Sequence, residues 1–227
     1  MTTNQPSTTT SLFLLVLEDD GKPVSMGQQT GYGLAGALLS DLVAAGRLGV
    51  SDDGKKLRVL DTSVTGDELL DEGLRRFGHK DGKRLSSVIP GAARKLEREV
   101  GDYLARRGVV RVEEGGMLGL KPQRYPIVDV SREAELRRGL VAVLRGASPT
   151  VEQHALVGLV HGLELGTKVF HPDEVGLDKG DLKRGIKAVA ESAGPGADGV
   201  ARAVQSANAG MIAAITAATV SSTSGSS

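Results

Sequence analysis

Leu34, Leu38, Leu42 and Ala45 recur at helical spacing and the pattern stops at Gly46, which commits Thr30 to Ala45 to a helix with one buried stripe. Such a stripe needs other apolar faces to cover it, and a chain of 227 residues, 40% of them apolar, can supply them. Thr65-Gly66-Asp67-Glu68 has capping-box spacing with Thr65 as the expected cap, and opens a helix through Leu69, Leu70, Leu74 and Phe77. Leu96, Val100 and Leu104 form a ladder on a helix expected to begin near Pro90 and stop at Gly108. Further helices are expected from Ser131 to Leu144, from Val151 to Leu165 behind the Ser148-Pro149 pair, from Asp181 to Ala193, and from Asp198 to Val220.

Two of these helices are followed by hairpin signals. Arg47 to Val50 and Leu57 to Leu60 flank Asp52-Asp53-Gly54, whose Asp-Gly pair accepts the positive φ of a tight turn. Val109 to Val112 and Met117 to Leu120 flank Glu113-Glu114-Gly115-Gly116. With short connections and no composition break, the expected fold is mainly α: a single helical domain over residues 11–220 carrying two small antiparallel β-hairpins. Residues 1–10 and 221–227 are rich in Ser and Thr, lack an apolar period, and are expected to be disordered tails.

Composition excludes several classes of function. The absence of cysteine removes disulfide scaffolds, zinc-thiolate and iron–sulfur sites and thiol nucleophiles. Aromatic residues make up 3% of the chain and Trp is absent, so base-stacking platforms have little to be built from. The most apolar run, Leu12 to Leu17, is six residues long against the roughly 20 that a span requires, and no basic region precedes it. Ala209 to Val220 is also short and is broken by Gly210, Thr216 and Thr219. The expected location is therefore cytoplasmic.

Several motifs fail on context. Gly31-Tyr32-Gly33-Leu34-Ala35-Gly36 satisfies GxGxxG, but the strand that should precede it is replaced by a segment with Pro23 and Gly27, so these glycines read as close-packing positions. Gly49 to Lys56 approaches a phosphate-binding loop, yet Lys56 stands where a Ser or Thr is required and two acids occupy the cradle. His154 and His161 share a helix face without a carboxylate at zinc spacing, and His79 and His171 have no partner. No catalytic constellation emerges, so a non-enzymatic protein without metal or cofactor is expected.

The charge is zero overall, 28 basic against 28 acidic residues, but it is segregated. Residues 1–74 hold 5 basic and 11 acidic side chains, residues 75–111 hold 11 and 4, and residues 112–227 hold 12 and 13. Arg94 and Arg98, one turn apart and away from the Leu96 ladder, are expected on the outer face of a basic helix, where they either meet solvent or bind anions.

The order of segments carries a resemblance. Leu12 to Gly21 is an apolar strip with an acidic turn; Gly33-Leu34-Ala35-Gly36-Ala37-Leu38-Leu39 runs into Leu42 and Gly46-Arg47-Leu48; Thr65-Gly66-Asp67 is followed by Leu69-Leu70-Asp71-Glu72; and Leu104 leads through Gly108-Val109-Val110. Over roughly residues 11–220 this resembles the Golgi phosphoprotein 3 family, including its bacterial members. The resemblance implies a mainly helical peripheral membrane adaptor. Such a protein binds phosphatidylinositol 4-phosphate in a basic pocket beside an apolar hairpin that enters the bilayer. Eukaryotic members also bind glycosyltransferase cytoplasmic tails and the COPI coat. The family's pocket Trp falls on about Met26, one pocket Arg on Ala35, and the two on the basic helix on Arg94 and Glu97, with Arg98 a substitute one turn from Arg94. Residues 1–10 lack the Arg cluster that coat binding uses.

The leading expectation is a non-enzymatic peripheral membrane adaptor. Its Arg94 and Arg98 would contact the head group of phosphatidylinositol 4-phosphate or another anionic phospholipid, and Met117, Leu118 and Leu120 would touch the membrane. A membrane protein's cytoplasmic tail and a second copy of the chain are further candidate partners. One alternative is a winged-helix-like DNA-binding unit, disfavoured by Glu113 and Glu114 at the wing and by the zero net charge, so nucleic acid is not an expected partner. The other is a helical protein-binding scaffold without lipid.

Overall fold

The computed structural model describes residues 7–25, 28–113, 123–192 and 209–217. Helix α1 (Thr8–Leu15) is buried along its whole length and packs against α2 (Gln28–Ala44), α5 (Leu96–Arg106), α6 (Val130–Leu144) and α7 (Val151–Gly162). With no wet face, its first-turn N–H groups need partners from the protein. Asp41 supplies two of them: Thr8 N donates to Oδ1 at 2.8 Å and Thr9 N to Oδ2 at 2.9 Å, while Thr9 Oγ1 also donates to Oδ2 at 2.6 Å. Ser7 Oγ accepts from Thr10 N. Thr8, Thr9 and Thr10, expected in a disordered tail, are instead the buried first turn of a helix.

The helical stripe of α2 is buried from Thr30 to Ser40, and the glycines that mimicked a nucleotide motif are packing positions. A Cβ on Gly33 would lie 2.5 Å from Leu163 Cδ1, and one on Gly36 would press on Leu159. On the same side, the helix over residues 209–217 buries Met211, Ala214 and Ile215 against the core. The strands β1 (Leu48–Val50) and β2 (Leu57–Val59) pair antiparallel with Leu48 opposite Val59. Asp53 accepts from Ser51 Oγ and from Lys55 N, and Gly54 takes the positive φ of 67°. The fold is mainly α, as expected, with α8 (Gly166–Val169), α9 (Pro172–Val175) and α10 (Lys179–Glu191) closing one side.

The structure corrects four local expectations. Asp67 rather than Thr65 caps α3 (Glu68–Phe77), accepting from Leu69 N and Leu70 N, whereas the Thr65 hydroxyl turns to Asp71. Thr150, in a capping box with Gln153, starts α7 in place of Ser148-Pro149. Pro90 lies near the end of α4 (Leu85–Ala92) instead of opening α5; lacking an N–H, it cannot continue the ladder, and the chain breaks into a turn at Ala93 to Lys95. Finally, Glu113, expected in a tight turn, instead bridges to Arg124, and Val110 bridges to Ile127. Tyr125 sets this register: its ring packs edge-on against Phe13 with centroids 5.3 Å apart, and its N–H donates to Gly21 O. Met117, Leu118 and Leu120 lie outside the described residues.

Beside the Asp41 cap, Glu152 accepts from Ser11 Oγ at 2.8 Å, and burial raises the carboxyl above its ordinary range, as it does for Asp41. A carboxyl whose pKa is raised by folding costs the native state stability as pH climbs above the unfolded-state pKa, the full cost being reached above the raised value. Replacing Glu152 with Gln keeps an acceptor for Ser11 and removes the buried charge. Thermal unfolding of Glu152→Gln should therefore show a higher Tm than the parent at pH 8, with the difference vanishing as pH falls toward 4.

Candidate functional site

Of the eleven basic residues between 75 and 111, most are held by carboxylates. Arg75 and Arg76 pair with Glu72, Arg76 also with Glu99, Arg106 and Arg107 with Glu68, Arg111 with Glu113, and Arg98 with Asp102 at 3.7 Å. Arg107 also stacks over the Tyr103 ring at 3.6 Å. Among the described residues, Lys80, Lys83, Arg84, Arg94 and Lys95 have no carboxylate within ion-pair distance. The basic segment is therefore neither one uniform face nor wholly neutralised.

Two of the unpaired cations, Arg94 and Lys95, border a cavity of about 590 Å³. One wall is the start of α2, where Gln28 and Gly31 approach and the Tyr32 hydroxyl donates to Gln28 Oε1. The opposite wall is the turn from α4 into α5. Lys95 adopts the left-handed conformation with φ 59°, costing on the order of 1 kcal/mol for a non-glycine residue, and this reverses the chain between Arg94 and α5. Contrary to the expectation of one basic helix, Arg94 sits in the turn while Arg98 projects from α5, yet both line the same cavity. Gly31 permits the close approach, since a Cβ there would stand 3.3 Å from Ala93 O.

Arg76 holds the turn in place. Its Nη1 donates to Ala92 O at 2.5 Å and Arg94 O at 2.9 Å, its Nε to Glu72 Oε1 at 2.6 Å and its Nη2 to Glu99. The cavity also contains a half-buried acid, Glu97, whose carboxyl burial raises above the ordinary range. Tyr125 forms the floor. Its hydroxyl is buried with no hydrogen-bond partner among the described residues, and burial together with Asp102 and Glu97 pushes its ionisation upward. Three cations and one carboxylate around a half-open cavity suit an anionic group that also carries hydrogen-bond donors.

The family model for Golgi phosphoprotein 3 (GPP34) matches residues 10–207. This chain belongs to the Golgi phosphoprotein 3 family. A relative, vacuolar protein sorting-associated protein 74 of Eremothecium gossypii, is 26% identical over 169 residues, covering 63% of this chain and 50% of that protein. The chain thus spans about half the length of the curated relative it matches.

Within a Golgi phosphoprotein 3 chain, the positions singled out by resemblance separate clearly. Arg94, Glu97 and Arg98 line the cavity. Ala35 is fully buried in the core, so the α2 wall carries no cation there. Met26 lies outside the described residues. Lys95, Gln28, Tyr32, Gln123 and Tyr125 escaped the sequence reading: their approach depends on a turn, a helix start and a return arm meeting in space, which no spacing announces. Elsewhere, His154 Nε2 lies 3.2 Å from Ser192 O, and no group of three metal-binding side chains occurs among the described residues. No helix among them is long and apolar enough to cross a membrane.

The orphan hydroxyl generates a stability prediction. A buried donor without a partner carries a desolvation cost, so Tyr125→Phe should stabilise the protein by about 1 kcal/mol in chemical denaturation while preserving the ring contact with Phe13.

Proposed function

We propose that this protein is a peripheral membrane adaptor whose cavity between α2 and the α4–α5 turn takes the head group of an anionic phospholipid, such as phosphatidylinositol 4-phosphate. The observation that carries the reading is the convergence of Arg94, Lys95 and Arg98 on one cavity, two of them without a carboxylate partner, in a segment whose other arginines are mostly paired. Lipid phosphate would accept charge-assisted hydrogen bonds from these side chains. Glu97 suits hydroxyl or ammonium donors on the rest of the head group.

The setting favours a membrane surface. Gln123 and Tyr125 belong to the cavity, and Glu113 pairs with Arg124. The sequence between these paired ends contains Met117, Leu118 and Leu120, apolar side chains that at a membrane surface would add shallow insertion to charge attraction. The two weak signals together make reversible anchoring. A relative named for vacuolar protein sorting fits an adaptor, which would hold a membrane protein's cytoplasmic tail on another surface.

Sedimentation with vesicles of phosphatidylcholine alone, with phosphatidylglycerol, and with phosphatidylinositol 4-phosphate at matched surface charge tests the reading. Binding to both anionic mixtures should weaken with salt, and Arg94→Glu with Arg98→Glu should lower it by at least about tenfold, since each basic group near an anionic surface contributes about 1 kcal/mol. Unchanged binding by that folded variant would remove the cavity as the lipid site.

Glu97 adds a pH dependence. Above its raised pKa the carboxylate opposes an anion held by Arg94, Lys95 and Arg98; below it the group is neutral. With phosphatidylglycerol, whose phosphodiester keeps its charge, affinity should rise as pH falls from 7.5 toward 4. Glu97→Gln should flatten this rise and bind more tightly than the parent at pH 7.5.

A further inference from the structure

The other face of the α4–α5 junction carries a second cavity, of about 370 Å³, that the lipid reading does not use. Its lining includes His79, Lys80 and Lys83 from the loop after α3, with Ser87, Val88 and Gly91 of α4. We infer that this cavity is a second anion site, taking a phosphate group on His79, Lys80 and Lys83.

The first argument is electrostatic. Two ammonium groups and an imidazole border one concavity, and none has a carboxylate within ion-pair distance among the described residues. The neighbouring glutamates are already engaged, and Asp81 makes no ion pair among the described residues. Glu72 is held by Arg75 and Arg76, Glu99 is held by Arg76, and Asp81 accepts from Val59 N at 2.9 Å. Like charges gathered without counter-charge repel, and a compact anion relieves several of them at once.

The second argument is the division of labour with Arg76, which also borders the cavity. Its guanidinium is committed to Glu72, Glu99 and the carbonyls of Ala92 and Arg94, so it is a wall of the cavity and not a ligand. The donors left for a ligand are the rotatable ammonium groups of Lys80 and Lys83 and the ring N–H of His79, which can adapt to a compact oxyanion. The buried Val88 and Ala92 give an apolar backing that strengthens such contacts, and Gly91 leaves the entrance open, since a Cβ there would meet nothing within 4 Å.

The volume exceeds what a bare phosphate fills, so the phosphate can be esterified. Pro90 and Ala93 border the first cavity while Gly91 and Ala92 border the second, which places the two on opposite flanks of one helix end. The inference does not depend on the first cavity binding lipid.

The test follows the His79 ring and the Gly91 amide by NMR during titration with inorganic phosphate at constant pH, against sodium chloride of equal ionic strength. Saturable shifts that chloride does not reproduce should appear in the parent and persist in Arg94→Ala with Arg98→Ala, which isolates this cavity from the lipid reading. They should disappear in Lys80→Ala with Lys83→Ala, substitutions in a loop outside the core. Shifts that fail to saturate, that chloride reproduces, or that survive the lysine substitutions would overturn the site. Vesicles of phosphatidylcholine with phosphatidic acid then identify the source. A drop of about tenfold in binding by the lysine variant assigns the phosphate to a lipid, whereas unchanged vesicle binding with lost phosphate shifts assigns it to a soluble phosphate ester.

Discussion

A helix with no solvent-facing side can exist only if its terminal backbone groups are satisfied from within, and the Asp41 carboxylate does this for α1. Thr8 N and Thr9 N both donate to it, Ser7 Oγ takes Thr10 N, and the first intrahelical bond then runs from Ser11 N to Ser7 O. Each such cap contributes about 1 kcal/mol, but the geometric consequence matters more. It locks α1 to α2 at one end, so that Phe13 is fixed in the core where Tyr125 can rest on it. Through Tyr125 the return arm from residue 124 is held, and with it the floor of the cavity. The surface site is thus positioned from the centre of the molecule.

Small residues carry this positioning further. Gly101 leaves the space that the Tyr125 ring occupies, since a Cβ there would lie 2.2 Å from Cε1, and Gly31 lets the Ala93 turn approach α2. Beside the second cavity stands Arg76, its side chain 12% exposed, joining α3, the α4–α5 turn and α5 through its own hydrogen bonds. An arginine used in this way contributes no binding charge; it spends the local carboxylates, Glu72 and Glu99, and leaves neighbouring cations without partners. The electrostatics of both cavities follow from that one internal network.

Much of the secondary structure was legible from local pattern. The stripe Leu34, Leu38 and Leu42, the Asp53-Gly54 turn and the Leu96 ladder all appear where spacing places them. The errors were of a different kind. Thr65 and Asp67 are both good caps, and only the position of Asp71, which takes the Thr65 hydroxyl, decides between them. Pro90 suits the first turn of a helix or the end of one, and the burial of Val88 and Ile89 on its N-terminal side selects the latter. Glu113, which local pattern puts in a tight turn, bridges instead to Arg124, next to the Tyr125 ring that packs on Phe13.

The candidate site divides along the same line. Residue types, segregated charge and helical period determined that the chain is mainly α, that basic side chains concentrate between 75 and 111, and that Arg94 and Arg98 lie near one another, because each of these depends on neighbours within a turn or two of chain. Which cations keep a carboxylate and which are left for a ligand was decided only by tertiary structure. So was the meeting of Gln28, Lys95 and Tyr125 at one cavity. The physical reason is that ion pairing and cavity walls depend on distances between segments far apart in sequence, and those distances are set by how the core packs around α1.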